Sequence, residues 1–241
     1  MNDHIVKAYD HELRDLRAIV SRMGGLAEDQ LVAAMQALAE FDTEKAEIVR
    51  NADKQLDALE IEAEKAAIVV FARRAPVADD LREVVSSLKM TGLIERMGDY
   101  AKNIAKRTLA VSEMGPVAVP QVLDQMAKDA RKMIQDVMDA YVHRNPDLAM
   151  AVWERDEALD NLHNSAYRTI LARMMETPDK IGVLTHFLMI AKNLERIGDQ
   201  ATNVAEQVYY TITGVMLEEA RRPKHDLTST ELVTEENLDN E

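Results

Sequence analysis

The sequence predicts an all-α protein folded as two tandem, pseudo-symmetric three-helix bundles. Three observations carry that prediction. Ala, Leu, Glu, Lys, Arg and Met dominate the 241 residues, against 8 glycines, 6 prolines and 4% aromatic side chains. This is a helix-forming composition with little turn material. The breaks between apolar-periodic stretches are few and short. Finally, the segment LIERMGDYAKN (Leu93–Asn103) returns one hundred residues later as NLERIGDQATN (Asn193–Asn203).

The helices follow from the punctuation. A first helix over 5–41 ends at EFDTEK, where Asp42 or Thr43 can cap a second helix over 43–74. In RRAPVADD, Pro76 stops that helix and Asp79 offers a cap for a third, over 78–112. EMGPVAVP, residues 113–120, packs a glycine and two prolines into a linker. Beyond it, HRNPD and METPDK separate helices over 121–143, 147–175 and 179–219. Short turns make neighbouring helices antiparallel, so each group of three should form an up-down bundle. The predicted units are a first bundle over 1–112, the linker over 113–120 and a second bundle over 121–220. An acidic tail over 221–241 has no periodicity and is expected to be disordered.

The repeat extends beyond the quoted segments. Third helices align at an offset of one hundred, as in Leu81 with Ile181, Leu88 with Leu188 and Glu95 with Glu195. Second helices align at an offset of 103, as in Asp53 with Asp156, Leu56 with Leu159 and Asp57 with Asp160. Self-similarity of this kind reads as one structural unit used twice.

Several classes fall away. With no cysteine, the chain has no disulfide scaffold, thiolate nucleophile or iron–sulfur cluster. The charged opening MNDHIVKAYDHELRD is no signal peptide. The most apolar run, Ala66–Ala72, is too short to span a bilayer. A net charge of −14 disfavours nucleic acid as a partner. A soluble chain is expected, reaching a membrane only through partners.

The chemistry concentrates in one stripe. Leu81, Leu88, Gly92, Glu95, Asp99 and Asn103 share a slowly drifting face of the third helix. The second copy reads Ile181, Leu188, Lys192, Glu195, Asp199, Asn203. The stripe begins apolar, so its first half is expected to be buried. The second helix offers Asp53, Asp57 and Glu60 at i, i+4, i+7, and in the repeat Asp156, Asp160 and His163. Antiparallel packing of helices two and three would gather four carboxylates in each bundle. Two carboxylates ~4 Å apart repel by roughly 4 kcal/mol at an effective dielectric near 20, so such a gathering calls for cations. Oxygen-rich ligand sets suit magnesium, manganese or iron, with zinc as a further candidate. Gly98 and Gly198, each between two acids, would let a neighbouring helix approach closely. Arg96 and Arg196 could neutralise an acid or reach across to the other bundle. Met90, Met97 and Met189 read as core filler; His163 is a further candidate ligand, and the other histidines look incidental.

No phosphate-binding glycine loop, dinucleotide fingerprint, His-Glu-x-x-His or Gly-x-Ser-x-Gly is present. The paired Glu-x-x-His of di-iron bundle enzymes is also missing. Three readings stand at this point. They are a metal-binding interaction protein, a carboxylate-bridged metal-dependent enzyme, and a purely structural helical scaffold.

LRAIVSRMGGLAEDQL (Leu16–Leu31), RNADKQLDALE (Arg50–Glu60), GLIERMGDYAKNIAKR (Gly92–Arg107) and NLERIGDQATNVAE (Asn193–Glu206) resemble the PhoU family, the phosphate-transport accessory regulators of bacteria. The resemblance runs from about residue 5 to 220. It implies a cytoplasmic, usually dimeric protein without enzymatic activity that negatively regulates the phosphate-starvation response. Such proteins connect the ATPase subunit of the phosphate ABC transporter with a sensor histidine kinase. The family's metal-binding motifs fall on Glu95 and Asp99 and on Glu195 and Asp199. Second-helix acids match at Asp53 and Asp57 and at Asp156 and Asp160. Met23–Leu26 (MGGL) has no counterpart in the second half, and His163 stands where the first half has Glu60, so the two bundles are not equivalent.

Overall fold

A computed structural model of the protein describes residues 2–52, 54–115 and 117–217 (backbone alone for 2–8), and the described residues are helical and hold no strand. The helices are α1 (Asn2–Glu40), α2 (Thr43–Ala52), α3 (Lys54–Arg74), α4 (Ala78–Met114), α5 (Gln121–His143), α6 (Pro146–Glu154), α7 (Asp156–Glu176) and α8 (Ile181–Thr213), with a 3-10 turn at Pro178–Lys180 before α8. The tail expected over 221–241 lies outside the described residues.

The same turn is built twice. Phe41 takes a left-handed conformation (φ 53°), Asp42 N–H donates to Ala37 O at 2.9 Å, and Asp42 Oδ1 caps Lys45 N at 2.9 Å. Arg144 does the same (φ 50°), with Asn145 N–H donating to Ala140 O at 2.9 Å. Asn145 Oδ1 then caps Leu148 N at 3.1 Å. Each pair supplies a left-handed helix stop followed by a side-chain N-cap. The two turns repeat at the spacing already seen in the second helices, so the duplication includes the connections.

The second predicted helix, 43–74, is described as α2 and α3 on either side of Asp53, which lies outside the described residues, and three further features differ from the sequence reading. The fifth predicted helix, 147–175, is two helices. At Arg155 the backbone tightens to i,i+3 bonds, from Arg155 N to Val152 O and from Ala158 N to Arg155 O, both 3.1 Å. The Arg155 guanidinium is held there by Asp136 Oδ2 at 2.7 Å. The last helix stops at Thr213, not 219, because Gly214 turns left-handed (φ 73°) and donates to Tyr210 O. Asp79 does not cap α4: the N-cap residue is Val77, without a side-chain bond, and Asp79 instead accepts from Arg82 at 2.7 Å.

The halves meet through like helices. Arg196 lies over the Tyr100 ring (5.7 Å to its centroid), Arg107 reaches His186 at 3.4 Å, and Arg82 rests against Gly214. As position rises along α4 it falls along α8, so the two run antiparallel. On the opposite side α1 packs against α5, with Arg131 and Gln135 both donating to Glu28. One continuous core results, with Met23, Leu31, Met90, Ile94, Met97, Met126, Phe187 and Leu194 all buried. Each such side chain contributes about 1.5–3 kcal/mol on leaving water. Met189 belongs to no core: it is exposed.

Two buried carboxylates tie elements together. Glu83 on α4 accepts from Arg17 Nε and NH2 on α1 and from Arg144 at the end of α5. Asp136 on α5 accepts from Lys132 and Arg155, both at 2.7 Å. Burial alone would raise the Asp136 carboxyl, but the two cationic donors outweigh it and hold it below the usual carboxylate range.

Candidate metal centre

The glycine inside each repeated motif has a packing reason. A β-carbon at Gly98 would fall inside the van der Waals shell of Leu56 Cδ1, and one at Gly198 inside that of Leu159 Cδ2. Both leucines are buried and occupy equivalent positions on the second helices. The close approach therefore occurs in both halves, and it brings α7 acids beside α8 acids.

In the second half three predicted residues converge. Asp160 on α7 and Glu195 and Asp199 on α8 each present one oxygen, and these oxygens lie within 4.8 Å of one another. Asp160 and Asp199 are half-buried, whereas Glu195 is only 6% exposed. Glu195 Oε1 accepts from Lys192 at 2.7 Å, but its Oε2 is buried without a hydrogen-bond partner among the described residues. Leaving such an oxygen unsatisfied costs about 1–3 kcal/mol or more for a charged group. A cation would offset that cost, so the donor set fits a hard or intermediate divalent or trivalent metal. Asp156, the fourth predicted acid, accepts from Thr202 Oγ1 at 3.2 Å. His163 is partly buried; burial lowers its pKa, while Glu195 and Asp199 raise it and Lys192 lowers it further.

The first half is arranged differently. Asp53 lies outside the described residues, Asp57 is exposed, and Asp99 pairs with Lys102 at 2.9 Å. Glu95 is half-buried in a cleft of about 490 Å³ that also takes in Glu60, Lys89, Arg96, Asn203 and Glu206. Burial raises the Glu60 carboxyl, Glu64 and Asp57 raise it further, and Arg96 opposes them. Where α8 has Lys192, α4 has Gly92, and a β-carbon there would meet Glu60 Oε1 at 3.3 Å. The glycine thus makes room for Glu60, and the lysine in the repeat faces a histidine in place of that acid.

The stripe is not buried at its apolar start: Leu81 is 40% and Ile181 47% exposed. Continuity of the stripe did not carry burial with it, because neighbouring elements cover a different face at the start of each third helix, burying Val84 and Leu184 instead. Sequence reasoning also missed the counter-ion Lys192 and the Asp156 partner Thr202. The i,i+3 spacing of Lys192 and Glu195 was the available signal for the first. Arg196 does reach the other half, but it meets the Tyr100 ring there.

Fold and site define a class: an all-helical protein of two repeated three-helix units, with acids from the second unit's second and third helices converging. The model of the PhoU domain matches residues 20–108 and again 123–208. A Zymomonas mobilis protein named phosphate-specific transport system accessory protein PhoU homolog is 45% identical over 226 residues, covering 94% of this chain and 95% of its own. A Rhizobium meliloti protein of the same name is 42% identical over 228 residues, 94% and 96% of the two chains. Among solved structures, PhoU from Pseudomonas aeruginosa has a TM-score of 0.82 at 34% identity, covering 86% of this chain and 100% of that one. The phosphate transport system regulatory protein PhoU from Streptococcus pneumoniae has a TM-score of 0.77 at 28% identity, covering 87% and 99%. The chain belongs to the PhoU family. No helix among the described residues is long and apolar enough to cross a membrane.

Proposed function

We infer that the protein is a negative regulator of phosphate uptake and of the phosphate-starvation two-component response. It acts in the cytoplasm, as a homodimer, as a non-enzymatic adaptor between the ATPase subunit of a phosphate ABC transporter and a sensor histidine kinase. The observation that carries this reading is the match, along nearly the whole chain, to relatives named as accessory proteins of phosphate-specific transport.

The adaptor binds metal ions. Asp160, Glu195 and Asp199 hold one in the second half, supported by their convergence and by the unsatisfied Glu195 oxygen. Glu95 and Asp99, with Asp53 and Asp57, serve the first half, and Asp156 supports the second. When bound, the metal supplies charge neutralisation. The chain's own groups do the rest: Lys192 balances part of the Glu195 charge, and Leu159 against Gly198 fixes the spacing of α7 and α8.

The test is a cell whose own copy is replaced by the double variant Glu195→Gln, Asp199→Asn. A phosphate-starvation reporter should then be active at high phosphate, and pull-down of the kinase and the transporter ATPase should weaken. Full repression together with unchanged metal content in the purified variant would refute the metal-dependent adaptor.

A further inference from the structure

A groove runs beside the point where α8 ends. α3 and α8 flank α4 but do not pack against each other, which leaves an open channel with α4 as its floor. Two rows run along that floor. Leu81, Val85, Leu88 and Gly92 form an apolar row, and Arg82, Lys89 and Arg96 form a basic row at seven-residue spacing. Val77 is 74% exposed and Leu81 40%, unusual for contiguous apolar side chains with nothing to cover them. Lys89 makes no ion pair among the described residues, and Arg82 Nε is buried without an acceptor.

The basic row belongs to the first half alone in its outer two members: α8 has Gly182 and Met189 where α4 has Arg82 and Lys89, whereas Arg96 matches Arg196. It is also the row that the chain end meets, since Gly214 rests against the Arg82 guanidinium. The sequence then continues for 24 residues past Leu217. Its final stretch, residues 225–241, carries six carboxylates, no lysine or arginine, and the apolar side chains Leu227, Leu232, Val233 and Leu238.

We propose that this acidic, leucine-bearing C-terminal segment docks into the outer half of the α3–α4–α8 channel, over Val77–Lys89. The reach suffices: 24 residues of random-coil dimensions span about 27 Å, and the stretch from Val77 to Lys89 is about 18 Å long. Tethering places the segment at an effective concentration near the millimolar range, so weak contacts hold it. Charge sets how far it goes. Arg82 and Lys89 attract it, whereas Glu60, Glu95 and Glu206 crowd the inner end and repel it. Asp79, paired with Arg82, screens part of the attraction at the entrance. The segment therefore covers the apolar strip and stops short of the first-half acids. This docking stands independently of the metal-dependent adaptor reading.

The absence of cysteine makes the test direct. A nitroxide on full-length Asn237→Cys should broaden the amide signals of Val77–Lys89 severalfold more than those of the matching α8 stretch, Gly182–Met189. Adding Lys89→Glu, or changing Leu227, Leu232 and Leu238 to serine, should abolish most of that difference. Equal broadening of the two stretches, or no effect of the leucine changes, overturns the proposal. So does undiminished broadening when nitroxide and isotope label reside on different copies, which would place the segment on a second copy of the chain.

Discussion

Leu159 lies across the bare backbone of Gly198, and Leu56 stands in the same relation to Gly98. A glycine in mid-helix costs about 1 kcal/mol relative to alanine, so both halves accept that cost for the same close approach.

Gly98→Ala and Gly198→Ala should therefore destabilise the fold despite their better helix propensity. Overpacking costs about 1–3 kcal/mol, and each net kilocalorie lowers Tm by roughly 2–4 °C in a chain of this size. Thermal melts monitored by far-UV circular dichroism decide it. An alanine variant that melts higher than the parent would mean that the leucine contact is not what the glycine serves.

The glycine pair in α1 should behave oppositely within itself. A β-carbon at Gly24 would meet Met138 at 2.5 Å, whereas one at Gly25 meets nothing within 4 Å. Gly25→Ala should raise stability by about 0.5–1 kcal/mol, and Gly24→Ala should lower it. Urea titrations of both variants measure the difference, and equal effects would contradict the α1–α5 packing.

Metal addition should raise Tm, and the second half should dominate the effect. At a ligand concentration one hundred times Kd, binding adds about 2.7 kcal/mol of stability. Glu195→Gln should remove most of the manganese- or iron-induced rise, while leaving the metal-free Tm near or above that of the parent, since it relieves a buried unsatisfied charge. Asp57→Asn, at an exposed position, should change the rise far less. Calorimetric scans with and without chelator compare the three chains.

Glu83 is buried (6% exposed) and holds two arginines from different parts of the chain, whose own side chains are 40% and 46% exposed. Glu83→Ala should cost about 1.5–3 kcal/mol, because it removes charge-assisted hydrogen bonds made by a buried carboxylate while water can rehydrate the half-exposed guanidiniums. A loss below about 1 kcal/mol in denaturant titration, the range of exposed pairs, would show the network to be superficial.

Acid stability should depend on Asp136. Its folded pKa lies below the ordinary value of 3.8, so the unfolded chain binds the proton more readily. The contribution is complete above that ordinary value and is lost as pH falls through the depressed folded value. Arg155→Met removes one of the two donors that hold it down and should shift the acid-unfolding midpoint upward. A midpoint unchanged between parent and variant would remove Asp136 as a source of acid stability.

Much of this protein was written in its linear order. Helix-forming composition, sparse turns and the doubled Glu-Arg-x-Gly-Asp segment determined an all-α fold of two repeated units. The i,i+4 spacing of Glu195 and Asp199 placed them on one helix face, because 3.6 residues per turn leaves no other arrangement. Only the tertiary structure decided the rest. Convergence of Asp160 with that pair depends on how closely α7 approaches α8, which Leu159 and Gly198 set across a distance in sequence that periodicity does not span. Burial was likewise a property of neighbours: Glu195 is shielded and Glu95 half-open although their local sequences nearly match. The exposure of Leu81 and Ile181 follows from which face of each third helix its neighbours cover, and the split at Arg155 follows from a salt bridge to Asp136 on another helix. A helix fixes which side chains share a face, whereas the docking of helices fixes which face meets water.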